Sequence, residues 1–249
     1  MKVSIITPVY NDPRLRHSLE SIRNQEGIAK PEIVVVDGES TDETVDIINE
    51  FRDVIDILVR EPDDGIYDAM NKGIRHASGE IIGILNADDR YQDEYVLRDV
   101  LTRMEDTGAK TCYGDLVYVN ENDEPVRYWN SGSFKPKRIY RGWMPPHPTF
   151  FVRSEVYDEY GTFDLEYRIA ADYDLMLRFL LKHGVSTIYL DRTLVRMATG
   201  GKSNESVLNI FKSNWEVARS WRKHGLRGGP IVSVLKPLRK IPQYINTPS

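Results

Sequence analysis

The chain carries one cysteine, Cys112, in 249 residues. A single thiol excludes an intramolecular disulfide framework and any metal site built on several cysteines. Long apolar runs are missing as well: no window approaches the roughly 18 consecutive apolar residues needed to cross a bilayer. The opening stretch MKVSIITPVYND holds an apolar run too short for the core of a secretory signal, and Pro8 breaks it. The glycine-rich loops of the usual nucleotide folds are absent too. No G-x-G-x-x-G follows the first apolar run, and G-x-x-x-x-G-K-[ST] occurs nowhere. Together these absences lead us to expect a soluble, cytoplasmic globular protein whose nucleotide pocket, if it has one, is built without a standard phosphate loop.

Acidic residues stop at Glu216, after which Arg219, Arg222, Lys223, Arg227, Lys236, Arg239 and Lys240 follow. With those seven set aside, 26 basic residues face 38 acidic ones, so the first 216 residues carry a formal charge of −12. Two readings stay open for the basic end. One is a solvated terminus; the other is an amphipathic segment resting on anionic lipid, because Trp221, Leu226, Ile231, Val232, Leu235 and Ile241 interleave with the cations. Nucleic acid is not an expected partner, since the acidic body repels a phosphate backbone.

What is present is a composition suited to a core, 41% hydrophobic and 29% charged, arranged in two alternating periodicities. KVSIITPVY, EIVVVDG, IDILVREP and EIIGIL are β-branched runs that end in turn residues. Between them DPRLRHSLESIRNQ, STDETVDIINEF and GIYDAMNKGIRHA have helical spacing and start signals. Continuous apolar strands alternating with helices predict an α/β fold with a mainly parallel sheet covered on both faces. Such sheets bind ligands beyond the carboxyl ends of their strands. Polar residues fall at those ends: Thr7 and Tyr10, then Asp37, then Arg60 to Asp64, then Asn86 to Asp89. A buried, unpaired carboxylate costs several kcal/mol, so converging acids call for cations, donors or a polar ligand.

SIITPVYND, VVVDGESTDET, EPDDGIYDAMNKGIRHASGEIIGILNADD and RIAADYDLMLR together resemble the inverting family 2 glycosyltransferases of the GT-A fold, over roughly residues 1 to 200. The resemblance implies a GT-A domain over 1–200, with a nucleotide-binding half (1–90) and an acceptor half (91–200), followed by a basic helical extension over 201–249. It implies a nucleotide-diphosphate sugar donor, first of all a UDP-sugar. It further implies Mg²⁺ or Mn²⁺, and a glycan or lipid-linked hydroxyl acceptor in surface polysaccharide or glycolipid assembly. The localisation expected is cytoplasmic or peripheral on the inner membrane face.

By this resemblance Asp172 is the general base and Asp88 the metal ligand, while Thr7, Pro8, Tyr10, Asp37, Arg60, Asp64, Lys72, Asn86, Asp89 and His147 contact substrate. Residue types alone leave plainer roles open. Asp37 suits a turn, Asp172 a helix cap, Asp68 with Lys72 a surface ion pair, and His147 a structural hydrogen bond. An extended NAD stretch is expected to put Asn86 and Asp88 on one face with Asp89 turned away. Asn86 stands where the family's metal motif usually has an acid, which predicts a cation held mainly together with the donor diphosphate. A non-catalytic sugar-nucleotide or glycan-binding domain and a sugar nucleotidyltransferase are the alternative functions. The second lacks its glycine-bearing triphosphate loop in TPVYNDPRLR.

Overall fold

The computed structural model describes residues 1–199 and 207–238. Strands β1 (Val3–Val9), β2 (Glu32–Asp37), β3 (Ile57–Arg60) and β4 (Ile81–Ile84) alternate with helices α1 (Leu15–Arg23), α2 (Thr44–Glu50) and α3 (Ile66–His76). The four strands pair in parallel in the spatial order β3-β2-β1-β4. Their unbroken apolar sequences follow from burial on both faces. Ile5, Ile33 and Val35 join one core, with Leu19 and Ile22 of α1, while Ile6, Val34 and Val36 join the other, with Met70 and Ile74 of α3. Helix α3 lies so close to β1 that a methyl group on Gly73 would stand 2.3 Å from Ile6 Cγ2.

The second half adds β5 (Asp89–Tyr91), α4 (Val96–Thr107), β6 (Thr111–Val119), β7 (Pro125–Trp129), α5 (Pro136–Ile139), β8 (Phe151–Arg153) and α6 (Ser154–Tyr160). After these come α7 (Ala171–Met176), β9 (Thr187–Ala198), α8 (Val207–Lys223) and α9 (Gly229–Leu238). Beyond β4 the sheet turns mixed: β8 runs antiparallel to β4 and β6, β9 parallel to β6, and β5 antiparallel to β9. Strand β7 leaves this path as a hairpin partner of β6, its turn held by Asn120, whose Oδ1 accepts Asn122 N–H and Glu124 N–H. A turn that short can only join antiparallel strands.

Several local expectations shift by a turn. Asp12 and Pro13 precede α1 rather than start it, because Asp12 is occupied with Arg14, accepting its backbone N–H at 3.1 Å and its guanidinium at 2.8 and 2.6 Å. Helix α7 begins at Ala171 and passes into a π-wound turn over Leu177–Lys182 before Gly184, whose φ of +63° ends it. Trp143 and Phe151 are both core residues, and Trp143 Nε1 donates to Ser131 O.

Helix α8 is built into the body rather than set apart from it. Val217 and Trp221 enter the core on the α7 side, and Trp221 Nε1 donates to Tyr173 Oη at 2.8 Å. The helix stops at Gly225 (φ +71°), as its sequence predicts. The expected cap at Ser203, and Arg239, Lys240 and Ile241, lie outside the described residues. Among the described residues no helix is long and apolar enough to cross a membrane.

Candidate active site

The strand register assembles one mouth. Val9 pairs with Asp37 and Asp37 with Arg60, so the loops after β1, β2 and β3 open side by side, and Leu85 N–H bonds Ile6 O to bring the chain after β4 up against β1. Chain connections leave β1 toward β2 on one side and reach β4 on the other, so the crevice between β1 and β4 is a topological switch point, the usual ligand position in open α/β sheets.

On the β2 side Asp37 is fully buried. Its Oδ1 accepts Ser40 N–H at 2.9 Å, and its Oδ2 lies 3.2 Å from Arg60 Nε. Arg60 also donates to Ser40 O at 3.0 Å, so it braces the loop that Asp37 starts. Tyr10 projects from the end of β1 with 55% of its surface exposed. Its ring passes over Gly38, where a Cβ would sit 3.4 Å from Tyr10 Cδ2 and 2.4 Å from Asp63 Oδ2. The Asp63 carboxylate thus lies against Gly38 beside the Tyr10 ring, which places Asp63 at the wall of the mouth.

The sequence reading had chosen Asp64 instead. Asp64 is exposed, and its contacts run through its backbone: N–H to Asp68 Oδ2 and O from Arg168 Nη1. The missed signal was the D-x-G spacing, since Asp63 Oδ1 accepts Gly65 N–H at 2.9 Å in an Asx turn that fixes its side chain. Thr7 and Pro8 lie within buried β1, and Thr7 Oγ1 has no hydrogen-bond partner.

The region after β4 departs from expectation. Residues 86–89 form a turn, closed by Asp89 N–H on Asn86 O, rather than an extension of the strand. The reversal pairs Asn86 Nδ2 with Asp89 Oδ2 at 3.0 Å and leaves Asp88 on its own, 3.6 Å from Arg14 Nη2. Arg14 was not foreseen as a neighbour of this site. Burial raises the Asp88 carboxyl above its ordinary value, Arg14 opposing and Asp12 reinforcing the shift. Burial raises Asp89 much further, with the Asp88 charge adding to it.

Asn86 Oδ1 and Asp89 Oδ1 are buried without hydrogen-bond partners. Among the described residues no group of three or more His, Cys, Asp or Glu side chains is placed to hold a metal. The set therefore fits a hard cation only in part, with Asp88 and the orphaned Asn86 Oδ1 as oxygen donors and most of the shell left to other ligands.

The third cluster lies across α3. Tyr67 Oη donates to Ile169 O at 2.9 Å and reaches Asp172 Oδ1 at 3.3 Å, and Tyr173 N–H donates to the same Oδ1 at 2.7 Å. Asp172 is the second residue of α7, and by accepting Tyr173 N–H it satisfies one backbone donor of that helix's first turn. His147 packs edge-on to Phe163 with ring centroids 5.5 Å apart, and Tyr67 stacks on that ring at the same distance. Burial lowers the His147 imidazole below its ordinary value, against the pull of the Asp172 charge.

Lys72 is buried and turned to the loop below Asp63, with Pro62 O, Glu61 and Asp68 around its ammonium. Burial opposes its charge, but the two carboxylates outweigh it and raise its pKa. Its pairing with Asp68 is therefore an internal tie of the loop, not the surface ion pair considered from the sequence.

The model for glycosyl transferase family 2 matches residues 4–161. The chain is 33% identical over 214 residues to a PGL/p-HBAD biosynthesis glycosyltransferase of Mycobacterium bovis, covering 84% of this chain and 81% of that one. The chain belongs to glycosyl transferase family 2. Glycosyltransferase AglE of Haloferax volcanii is 30% identical over 169 residues, 65% of this chain and 55% of its own. Among solved structures, S. aureus TarS 1–349 superposes with a TM-score of 0.70 at 19% identity, covering 96% of this chain and 71% of that one. The mannosyltransferase PcManGT from Pyrobaculum calidifontis, in complex with GDP-Man and Mn²⁺, superposes with a TM-score of 0.65 at 19% identity, covering 94% and 68%. The fold of this glycosyltransferase is accordingly GT-A, and the chain is an enzyme of sugar transfer.

Asp89 gives the site a measurable pH signature. Its folded pKa is raised, so the stability it contributes is fully present below the ordinary carboxylate range and is lost as pH rises through the folded value. Asp89→Asn in this glycosyltransferase is expected to melt above the wild type at pH 8, the difference shrinking toward pH 4. At roughly 2–4 °C per kcal/mol for a domain of this size, thermal melts across that range resolve the gap. A gap that is absent or widens on acidification contradicts the assignment.

Proposed function

We propose that this enzyme transfers a sugar from a nucleotide-diphosphate sugar, a UDP-sugar in the first instance, to a hydroxyl of a glycan or lipid-linked glycan, with inversion at the anomeric carbon. One observation carries the reading: α3 starts at the Asp63–Gly65 wall of the strand-end mouth, and its Tyr67 reaches Asp172. Donor and base sites thus share one rigid element.

In this reading Tyr10 covers the base, Asp37 and Asp63 meet the nucleoside, and Arg60 and Thr7 complete the mouth, while Lys72 holds the loop that carries Asp63. The PcManGT complex with GDP-Man and Mn²⁺ supports a divalent cation as well as a nucleotide sugar. Asp88, with Asn86 beside it in the same turn, would hold a Mg²⁺ or Mn²⁺ ion together with the donor, and that ion would supply positive charge against the charge that builds on the departing diphosphate.

Asp172 performs the proton transfer. Both hydrogen bonds to it fall on Oδ1, which presents Oδ2 to the acceptor. The acceptor hydroxyl loses its proton to that oxygen as its own oxygen bonds the anomeric carbon, and the bond to the diphosphate breaks with its electron pair leaving on phosphate. In this reading His147 lines the acceptor side. Asp172→Asn is expected to lower kcat by about 10²–10⁴-fold with donor Kd within about twofold of wild type. Initial rates and donor titration on the two proteins check this, and wild-type turnover in the variant overturns the base assignment.

We further propose that the enzyme rests on an anionic membrane surface through α8 and α9. Trp215 and Ile231 are 64% and 66% exposed, with Arg222 and Arg227 exposed nearby in sequence. The positive charge of this region is smaller than its sequence suggests, because Glu166 and Asp164 pair with Arg219 and Lys223. Sedimentation with phosphatidylglycerol/phosphatidylcholine vesicles tests the proposal. At about 1 kcal/mol per surface cation, Arg222→Gln with Arg227→Gln should weaken binding roughly 30-fold, and unchanged sedimentation would sink it.

A further inference from the structure

Helix α8 reaches the front of α7 with one carboxylate. Glu216, 7% exposed, accepts the backbone N–H of Arg168 on Oε1 at 3.0 Å, and those of Ile169 and Ala170 on Oε2 at 2.9 and 2.8 Å. Ala170 is the N-cap of α7 and has no side chain for the task. A helix start leaves backbone donors without intrahelical partners, and here a residue distant in sequence satisfies that of the N-cap Ala170 together with the two that lead into it. The same stretch is gripped from the other side, where Tyr67 Oη holds Ile169 O and Arg168 Nη1 holds Asp64 O at 2.6 Å.

Anchoring α8 does not require Glu216. Trp221 bonds Tyr173, and Asp174 Oδ1 takes both Ser220 Oγ at 2.7 Å and His224 Nε2 at 2.8 Å. A buried carboxylate is expensive unless its oxygens are used. All three hydrogen bonds of this one go to the backbone that enters α7 two residues before Asp172.

We propose that Glu216 is a positioning residue for sugar transfer: it fixes the 168–170 backbone so that Asp172 faces the acceptor. The inference rests on Asp172 being the base. Glutamine at 216 keeps one accepting oxygen and turns an amide N–H₂ against a backbone donor, so the grip is broken with little change in volume.

The test uses the full chain as wild type, Glu216→Gln, Asp172→Asn, the double variant and Trp221→Phe. Nucleoside diphosphate release is followed from UDP-, GDP-, CDP- and dTDP-sugars with water as acceptor, alongside hydrogen exchange of the 168–170 amides and thermal melts. Misplacement of a catalytic group by about 1 Å costs up to about 10²-fold. Glu216→Gln is therefore expected to lower kcat by roughly 10–100-fold with donor KM within about twofold, and to speed exchange at 168–170. In the Asp172→Asn background it should cost less than about threefold more, because a group that acts through Asp172 has nothing left to position.

A kcat within about twofold of wild type in Glu216→Gln overturns the inference, as does the same fold-loss in both backgrounds. It also falls if Trp221→Phe, at an equal drop in Tm, loses as much kcat. Full turnover in Asp172→Asn alone overturns the base assignment itself, and this inference with it, through a variant that leaves Glu216 untouched.

Discussion

The arrangement depends on a buried amide clamp. Asn71, in α3, donates through Nδ2 to Phe163 O at 2.8 Å and accepts Phe163 N–H on Oδ1 at 2.9 Å. Both groups are buried, so loss of either partner strands a polar atom at about 1–3 kcal/mol. The clamp joins α3 to the 161–170 segment, alongside the Tyr67–Ile169 and Arg168–Asp64 hydrogen bonds. Phe163 in turn supports the rings of Tyr67 and His147. Glu216 closes the segment from behind, so the approach to Asp172 is held by α3 on one side and α8 on the other.

The strand ends show a complementary constraint. Asp37, Asp88 and Asp89 are partly or wholly withdrawn from water, while Arg60 and Arg14 meet the first two from their outer sides. Buried polar atoms are nearly always paired in folded proteins. Thr7 Oγ1, Asp37 Oδ2, Asn86 Oδ1 and Asp89 Oδ1, all on or just after β1, β2 and β4, are among the exceptions. The strand ends thus concentrate acids and unpaired polar oxygens, the feature on which the proposed donor site is built.

Most of the first half was legible because its signals are local. Period-two burial on both faces of β1 and β2 produces the continuous apolar runs that announce a parallel sheet, and Gly184 and Gly225 end their helices where the sequence put them. The turn at 86–89 was not legible as such. Alternation along a presumed strand placed Asn86 beside Asp88, whereas a backbone bond from Asp89 to Asn86 reverses the chain and pairs those two side chains instead. Asp63 was passed over for its neighbour because the Asx turn, not residue type, decides which of two adjacent acids faces the mouth. Asp172, whose residue type suits a helix start, does accept a first-turn backbone N–H, that of Tyr173, but the N–H of the N-cap Ala170 is taken by Glu216 on another helix. No local pattern encodes that contact, and the basic charge of the same region drew attention to the solvent-facing side of α8.

The central claim is that these strand ends form a nucleoside diphosphate site in which Asp88 holds the accompanying cation. Thermal melts of wild type and Asp88→Ala with UDP, GDP, CDP and dTDP, each with Mn²⁺ or a chelator, test it directly, because a ligand specific to the folded state raises apparent stability with its concentration. The account predicts a rise in Tm for one nucleotide in the wild type that needs Mn²⁺ and is lost in Asp88→Ala. An equal rise in both proteins with chelator present, or no rise with any nucleotide, would contradict it.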